Sequence, residues 1–137
     1  MMRYIVVSAG TGLLFAVMDG LINANPLAQR LLAVYKPIAR ESVNAPAGIV
    51  IDLAYGFVMA GLFLLLASAL PGGPTMKGLS FGLIAWFFRV AMGVAGQWVA
   101  FKIPPAALAY MLVTGLVEML VLGVIYGWAL SGTVYHD

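Results

Sequence analysis

The residues of this sequence that are best able to take part in chemistry are the charged side chains inside long apolar stretches. An ionised group in the hydrocarbon core of a bilayer costs at least about 2.5 kcal/mol, so it is expected to face protein or trapped water. Residues of this kind therefore mark either a buried structural contact or a functional site. There are four of them: Asp19, Asp52, Arg89 and Glu118.

Arg89 and Glu118 lie near the middles of two consecutive apolar runs joined at Lys102. At ~1.5 Å of helical rise per residue, Arg89 lies roughly 20 Å and Glu118 roughly 24 Å above Lys102. Antiparallel neighbouring helices would hold the two charges within about one turn of each other, which predicts a buried ionic pair. Three interpretations remain open: a structural clamp between two helices, a direct role in moving an ion or solute, or two separately solvated charges.

Asp19 and Asp52 are predicted to lie ~6–9 Å from the same membrane face. If their helices are adjacent, the two carboxyl groups can share a proton or hold a cation, because like charges at close range disfavour double ionisation. A simpler explanation is also open for Asp52, since a carboxylate near a helix N-terminus is stabilised by the peptide dipoles.

The composition identifies the class of protein. Of 137 residues, 64% are hydrophobic and 9% charged, whereas a soluble domain has about 25% charged residues. A soluble domain of this size cannot hide so much apolar surface, so the chain is predicted to be an integral membrane protein.

Several functional classes are disfavoured by what the sequence lacks. It contains no cysteine and a single histidine, His136, next to its C-terminus. No phosphate loop, dinucleotide fingerprint or nucleophile elbow is present. We therefore expect no catalytic residue, metal site, cofactor or nucleic-acid partner, and an enzyme is the least favoured class.

Four apolar runs predict an all-α fold with four transmembrane helices in an antiparallel up-down bundle. The predicted spans are residues 4–23, 46–70, 78–101 and 104–130, within a single transmembrane domain covering residues 1–137. The first run, which follows a basic start, also matches the pattern of a cleaved signal peptide; we expect it to be retained.

An amphipathic interfacial helix is predicted between helices 1 and 2, at residues 26–40. Asn25-Pro26 is a helix start signal, and apolar residues recur at spacings of three and four; an ordinary connecting loop is the alternative. Basic and tryptophan side chains near the span ends are expected to anchor the chain at the membrane interfaces. These anchors are Arg30, Lys36, Arg40, Lys77, Lys102, Trp98 and Trp128.

The distribution of basic residues predicts the orientation. Most of them lie in the connections after helices 1 and 3, which are therefore expected to be cytoplasmic, in a membrane of the bacterial inner-membrane type.

The two halves of the sequence suggest an internal repeat. One offset aligns Gly12 with Gly82 and places Asp19 opposite Arg89, whereas a different offset aligns Gly56 with Gly115. Two hairpins of the same orientation would form a parallel repeat, which is a known transporter plan.

No family pattern is matched. Small multidrug-resistance exporters share the length and span count, but they are built around a glutamate in the middle of the first helix, where this chain has Asp19 near the end. The sequence leaves two main functions: a homo-oligomeric transporter or channel for a small solute or ion, or a non-catalytic accessory or assembly subunit of a larger membrane complex. The expected partners are accordingly the lipid bilayer and either further copies of the chain or that complex.

Overall fold

The computed structural model describes residues 1–39 and 44–134, and it is helical almost throughout that part of the chain. Within these described ranges, four stretches are long and apolar enough to cross a membrane: Met2–Ala24, Ala45–Leu66, Pro74–Ala100 and Pro105–Ser131. The prediction of an all-α fold with four helices long and apolar enough to span a membrane is thus confirmed, and these helices support the predicted integral membrane localisation. The second span ends at Leu66 and the third begins at Pro74, so each is displaced by four residues from its sequence-based limit at that end.

The helices are named in chain order. Helix α1 is Met2–Ala24, α2 is Pro26–Leu31, and a short 3-10 helix covers Ala33–Ile38. Helix α3 is Ala45–Leu66. The third span consists of α4 (Pro74–Trp86), a π-helical segment (Phe87–Ala91) and α5 (Met92–Ala100), and α6 is Pro105–Val134.

Local sequence explains where several helices begin and end. The Asn25 side chain accepts a hydrogen bond from the Ala28 backbone N–H at 2.8 Å, which caps α2 ahead of Pro26 at its first position. Lys77 is buried, and its ammonium group donates to the carbonyl oxygens of Ala67 and Leu70, just beyond the end of α3. The Ala67 carbonyl oxygen also accepts a bond of 3.3 Å from the Leu70 backbone N–H. The lysine of the next helix thus adds a charged donor to carbonyl groups that follow the last turn of α3.

Glycines allow two pairs of spans to pack with their backbones in contact. A Cβ at Gly12 of α1 would lie 2.7 Å from the Cα of Leu53 in α3. A Cβ at Gly82 of α4 would lie 2.7 Å from the Met119 carbonyl oxygen in α6. Neither position has room for a side chain, as expected where small residues let membrane helices approach closely.

Aromatic side chains fill the centre where the spans meet. Tyr126 of α6 is fully buried beside Phe63 and Phe81. Its hydroxyl lies 3.0 Å from both the Gly56 carbonyl oxygen and the Thr11 Oγ1, so α6 is hydrogen-bonded to α1 and α3. The two close-packed helix pairs are therefore joined by a buried polar contact as well as by apolar packing.

Gly12→Ala is expected to destabilise the fold, because the added methyl group collides with the backbone of α3; overpacking of this kind typically costs about 1–3 kcal/mol. Gly10→Ala is the matched control in the same helix, since nothing lies within 4 Å of a Cβ there, and it should be neutral or stabilising by up to about 1 kcal/mol. Unfolding of purified protein by a denaturing detergent, followed by circular dichroism, measures both. Equal effects of the two changes would show that the close α1–α3 contact does not stabilise the protein.

Candidate functional site

Arg89 lies at the centre of the π-helical segment Phe87–Ala91. A π-helical turn contains an extra residue, so it changes the direction in which the following side chains point, and such turns occur often at functional sites. The segment directs Arg89 into the bundle, where its side chain is only 27% exposed. The guanidinium group therefore has to be stabilised by other helices.

Two aromatic rings and one carboxylate surround this guanidinium. Its central carbon lies 4.6 Å from the ring centroid of Phe15 and 4.9 Å from that of Tyr55, within the range of cation–π attraction. The Arg89 Nη1 lies 3.6 Å from the Glu118 Oε1, which is too long for a hydrogen bond. The Arg89 Nε is buried without a hydrogen-bond partner among the described residues.

Three carboxyl groups from three helices come together beside this arginine. Glu118 of α6 and Asp52 of α3 are buried, and Asp19 of α1 is half-buried. The Asp19 carboxyl group lies within hydrogen-bonding reach of both Asp52 and Glu118. We call Asp19, Asp52, Arg89 and Glu118 the charged cluster.

Protons are required for hydrogen bonds within this cluster. An ionised carboxylate only accepts hydrogen bonds, so two carboxyl groups can bond to each other only when one is protonated. The buried Oε2 of Glu118 has no donor among the described residues, and a protonated neighbouring carboxyl group would supply one. The geometry therefore suits carboxyl groups that gain and lose protons.

A polar cavity of about 290 Å³ adjoins the charged cluster. Its walls come mostly from the C-terminal parts of α1 and the third span and from the N-terminal half of α6, with Tyr55 added from α3. It therefore lies on the side of the bundle that holds the connections after helices 1 and 3. Its lining residues are Asp19, Ile22, Tyr55, Arg89, Val90, Gly93, Val94, Gln97, Met111, Thr114, Gly115 and Glu118.

The segment between α1 and α3 packs against the same side. The Tyr35 hydroxyl of the 3-10 helix donates to the Gln97 side-chain oxygen, and Gln97 lines the polar cavity. Burial raises the pKa of Tyr35, which keeps this hydroxyl protonated as a donor. Nearby, the side-chain N–H of Asn25, just after α1, donates to the Tyr110 hydroxyl of α6 at 2.9 Å. The connection is thus fixed to the bundle beside the cavity by side-chain hydrogen bonds.

A second, apolar cleft lies on the other side of Arg89, between α3 and the third span. Its volume is about 550 Å³. Its walls come from the C-terminal half of α3 and from the third span up to Arg89, so it extends toward the connection between α3 and α4. Its lining residues are Tyr55, Met59, Leu62, Leu66, Phe81, Ile84, Ala85, Phe88 and Arg89.

The structure thus brings the two sequence-predicted pairs into one cluster. Phe15 and Tyr55 were not anticipated, although helical spacing holds the relevant signal: Phe15 is four residues before Asp19, and Tyr55 is three residues after Asp52. Residues at these spacings share a helix face. Among the described residues, no group of His, Cys, Asp and Glu side chains is arranged to hold a metal ion.

The predicted interfacial anchors differ in their exposure and in their hydrogen bonds. Trp98 and Trp128 are each 67% exposed, and the Trp128 indole N–H donates to the Thr75 Oγ1 at 2.8 Å. Lys77 is buried against the end of α3 instead of lying free at the interface. Arg40 lies outside the described residues. The remaining three anchors are exposed: Arg30, Lys36 and Lys102.

Comparisons of the chain with known protein families, with curated proteins and with solved structures found no match.

A double-mutant cycle tests the Arg89–Glu118 contact at neutral pH. Arg89→Gln leaves Glu118 buried without an opposite charge, which costs about 3–5 kcal/mol in comparable buried pairs. Adding Glu118→Gln should recover part of this loss, giving a coupling energy of about 1–3 kcal/mol in detergent unfolding. The control cycle combines Glu118→Gln with Lys102→Gln, whose side chain is exposed, and it should be additive. Additivity in both cycles would contradict a direct interaction.

Proposed function

We propose that this protein is a proton-coupled transporter of a small solute, with the charged cluster as its coupling site. The observation that supports this most directly is the position of Arg89 and Tyr55, which line both the polar cavity and the apolar cleft. The two spaces extend from this level toward opposite ends of the bundle. A solute site reached from two directions, with a barrier between them, is what alternating access requires.

The charged cluster supports proton coupling in particular. Ionisable residues within membrane spans commonly mark proton relays and solute pathways. Here three carboxyl groups and one guanidinium occupy a shared volume next to a polar cavity. The chemistry of hydrogen-bonded carboxyl groups favours protons as the coupled ion, and Arg89 can stabilise the deprotonated state of Glu118.

We further propose that the bundle is an antiparallel up-down arrangement in which the two hairpins form a parallel repeat. The contacts support this: a Cβ at Gly56 would meet Gly12 Cα at 2.8 Å, and a Cβ at Gly123 would meet Gly82 Cα at 3.0 Å. The correspondence of Gly12 with Gly82 agrees with the sequence alignment of the first helices. In the second helices, these contacts relate Gly56 to Gly123, because Gly115 faces the side chain of Val90.

The proposal extends to assembly and location. A chain with four spanning helices has long lipid-facing surfaces, and Gly20 and Gly96 have open space around them that another helix can approach. We propose a homo-oligomer in a membrane of the bacterial inner-membrane type, with the connections after helices 1 and 3 in the cytoplasm.

The alternative function is that of an accessory subunit of a larger membrane complex. The apolar cleft favours it, because Phe88 on its wall is 72% exposed and a helix of a partner protein would bury that surface. Copurification with a larger membrane protein after gentle extraction would support this alternative.

Proton movement into liposomes tests the transporter proposal. Purified protein is reconstituted around a pH-sensitive dye, and a potassium diffusion potential drives proton entry with and without mixtures of small organic acids, amines and sugars. The wild type should acidify the lumen. Glu118→Gln and Asp19→Asn should slow the entry at least about tenfold, since removing a proton-transfer group commonly costs 10²–10⁴-fold in rate.

Two controls accompany this measurement. Asp52→Glu retains an acid and should keep most of the flux, whereas Lys102→Gln removes an exposed charge far from the cluster and should leave the flux unchanged. If the wild type moves no protons under any of these conditions, the transporter proposal is wrong.

A further inference from the structure

The apolar cleft between α3 and the third span has a distinctive charge pattern. All its lining side chains except Arg89 are uncharged, and most are aliphatic or aromatic. Its volume of about 550 Å³ lies within the range of small-molecule sites, which are mostly apolar with a few polar groups that fix orientation. The cleft therefore combines space for a hydrocarbon group with one cation at its inner end.

The cleft opens sideways toward lipid. Phe63 of α3 contacts Phe81 of α4, but the side chains that flank this contact remain accessible from outside the bundle. Leu62 of α3 is 42% exposed and Ile84 of α4 is 39% exposed. A ligand dissolved in the bilayer can enter between these walls without crossing a polar surface.

Arg89 has unused hydrogen-bonding capacity at the end of this cleft. A guanidinium group has five N–H donors and can grip an oxyanion with two of them. The nearest carboxylate oxygen, Glu118 Oε1, lies 3.6 Å from Nη1, which is beyond hydrogen-bonding distance, so the Nη groups keep donors for a ligand. An oxyanion approaching from the cleft would meet donors that the protein leaves unsatisfied.

We propose that the apolar cleft binds a single-chain amphipathic organic anion from the bilayer, with its hydrocarbon chain between α3 and α4 and its oxyanion on Arg89. A cation is disfavoured because Arg89 would repel it, and a neutral alcohol lacks the charge that the guanidinium recognises. This inference deepens the proposed function by naming its substrate class, and it rests on that function for the transport step but not for binding.

The groups facing Arg89 make this binding dependent on pH. They are Asp19 from α1, Asp52 and Tyr55 from α3, and Glu118 from α6. Ionised carboxylates would repel the incoming anion and compete for Arg89, whereas protonated ones would not. Binding of a permanent anion should therefore tighten as the pH falls.

Equilibrium binding to protein in nanodiscs tests the inference with three probes of equal chain length: decanesulfonate, decyltrimethylammonium and decanol. The sulfonate and the ammonium keep their charge at all relevant pH values, so any pH effect comes from the protein. We expect saturable binding of decanesulfonate alone, above the partitioning into empty nanodiscs, and tighter binding at low pH. Decanol or the ammonium binding as tightly as the sulfonate would overturn the proposal.

Variants locate the site. Arg89→Gln should weaken sulfonate binding about tenfold to a hundredfold, the range expected for losing charge-assisted hydrogen bonds. Arg89→Lys keeps the positive charge but cannot form a bidentate hydrogen bond, so this variant should bind the sulfonate with intermediate affinity. Ile84→Trp fills the cleft and should also weaken binding, whereas Val99→Trp, on a lipid-facing position of α5 that is 78% exposed, should not.

The outcomes remain informative if Arg89→Gln fails to fold. In that case, wild-type affinity in both Arg89→Lys and Ile84→Trp would overturn the site. Sulfonate binding without proton movement in liposomes would refute the proposed function while supporting this inference. Proton movement without selective sulfonate binding would support the proposed function and refute this inference.

Discussion

The interior of a bilayer provides no water to solvate an ion, and this constraint governs the arrangement of the charged side chains in this protein. Arg89, Glu118, Asp52 and Asp19 come from four different spans, yet they solvate one another in one volume. Two aromatic faces, those of Phe15 and Tyr55, complete the surroundings of the guanidinium. The compensation is incomplete, because the Arg89 Nε and the Glu118 Oε2 have no partners among the described residues. A purely structural ion pair would be expected to satisfy such groups.

Close backbone packing determines where the cluster can form. Because Gly12 and Gly56 allow α1 and α3 to touch, the Asp52 carbonyl would lie only 3.1 Å from a Cβ at Gly12, and Asp19 follows two turns later on α1. The Tyr126 hydroxyl then ties this pair to α6, which contributes Glu118. The π-helical segment completes the arrangement by turning Arg89 inward. The small residues thus set the distances between helices that bring the charged side chains together.

Sequence reasoning could reach the spans and the depths of the charges, because both depend on hydrophobicity and on a constant helical rise. It could pair Arg89 with Glu118, since the short connection at Lys102 makes their helices neighbours. It could not place Asp19 and Asp52 beside that pair, because their position depends on how the two hairpins pack against each other. That packing is determined by contacts such as the one between Phe15 and Arg89. The π-helical turn is likewise invisible in the sequence, since no residue type at positions 87–91 specifies it. The charge of Lys77 predicted an interfacial anchor, whereas its hydrogen bonds to the carbonyl groups of Ala67 and Leu70, just after α3, depend on packing that the sequence does not reveal.

Charge balance explains how the two spaces beside Arg89 can be linked. When all three carboxyl groups of the cluster are ionised, they outweigh the single guanidinium by two negative charges. Charge differences are costly where the dielectric constant is low, so states with similar net charge are favoured. An anion that approaches Arg89 from the cleft adds one negative charge, and the uptake of one proton from the polar cavity restores the balance. In the proposed mechanism, Arg89 again attracts the carboxyl groups of the charged cluster once the anion leaves, which favours release of that proton. Because Arg89 lines both the polar cavity and the apolar cleft, the proposed linkage would operate through electrostatics and would not require the two ligands to touch.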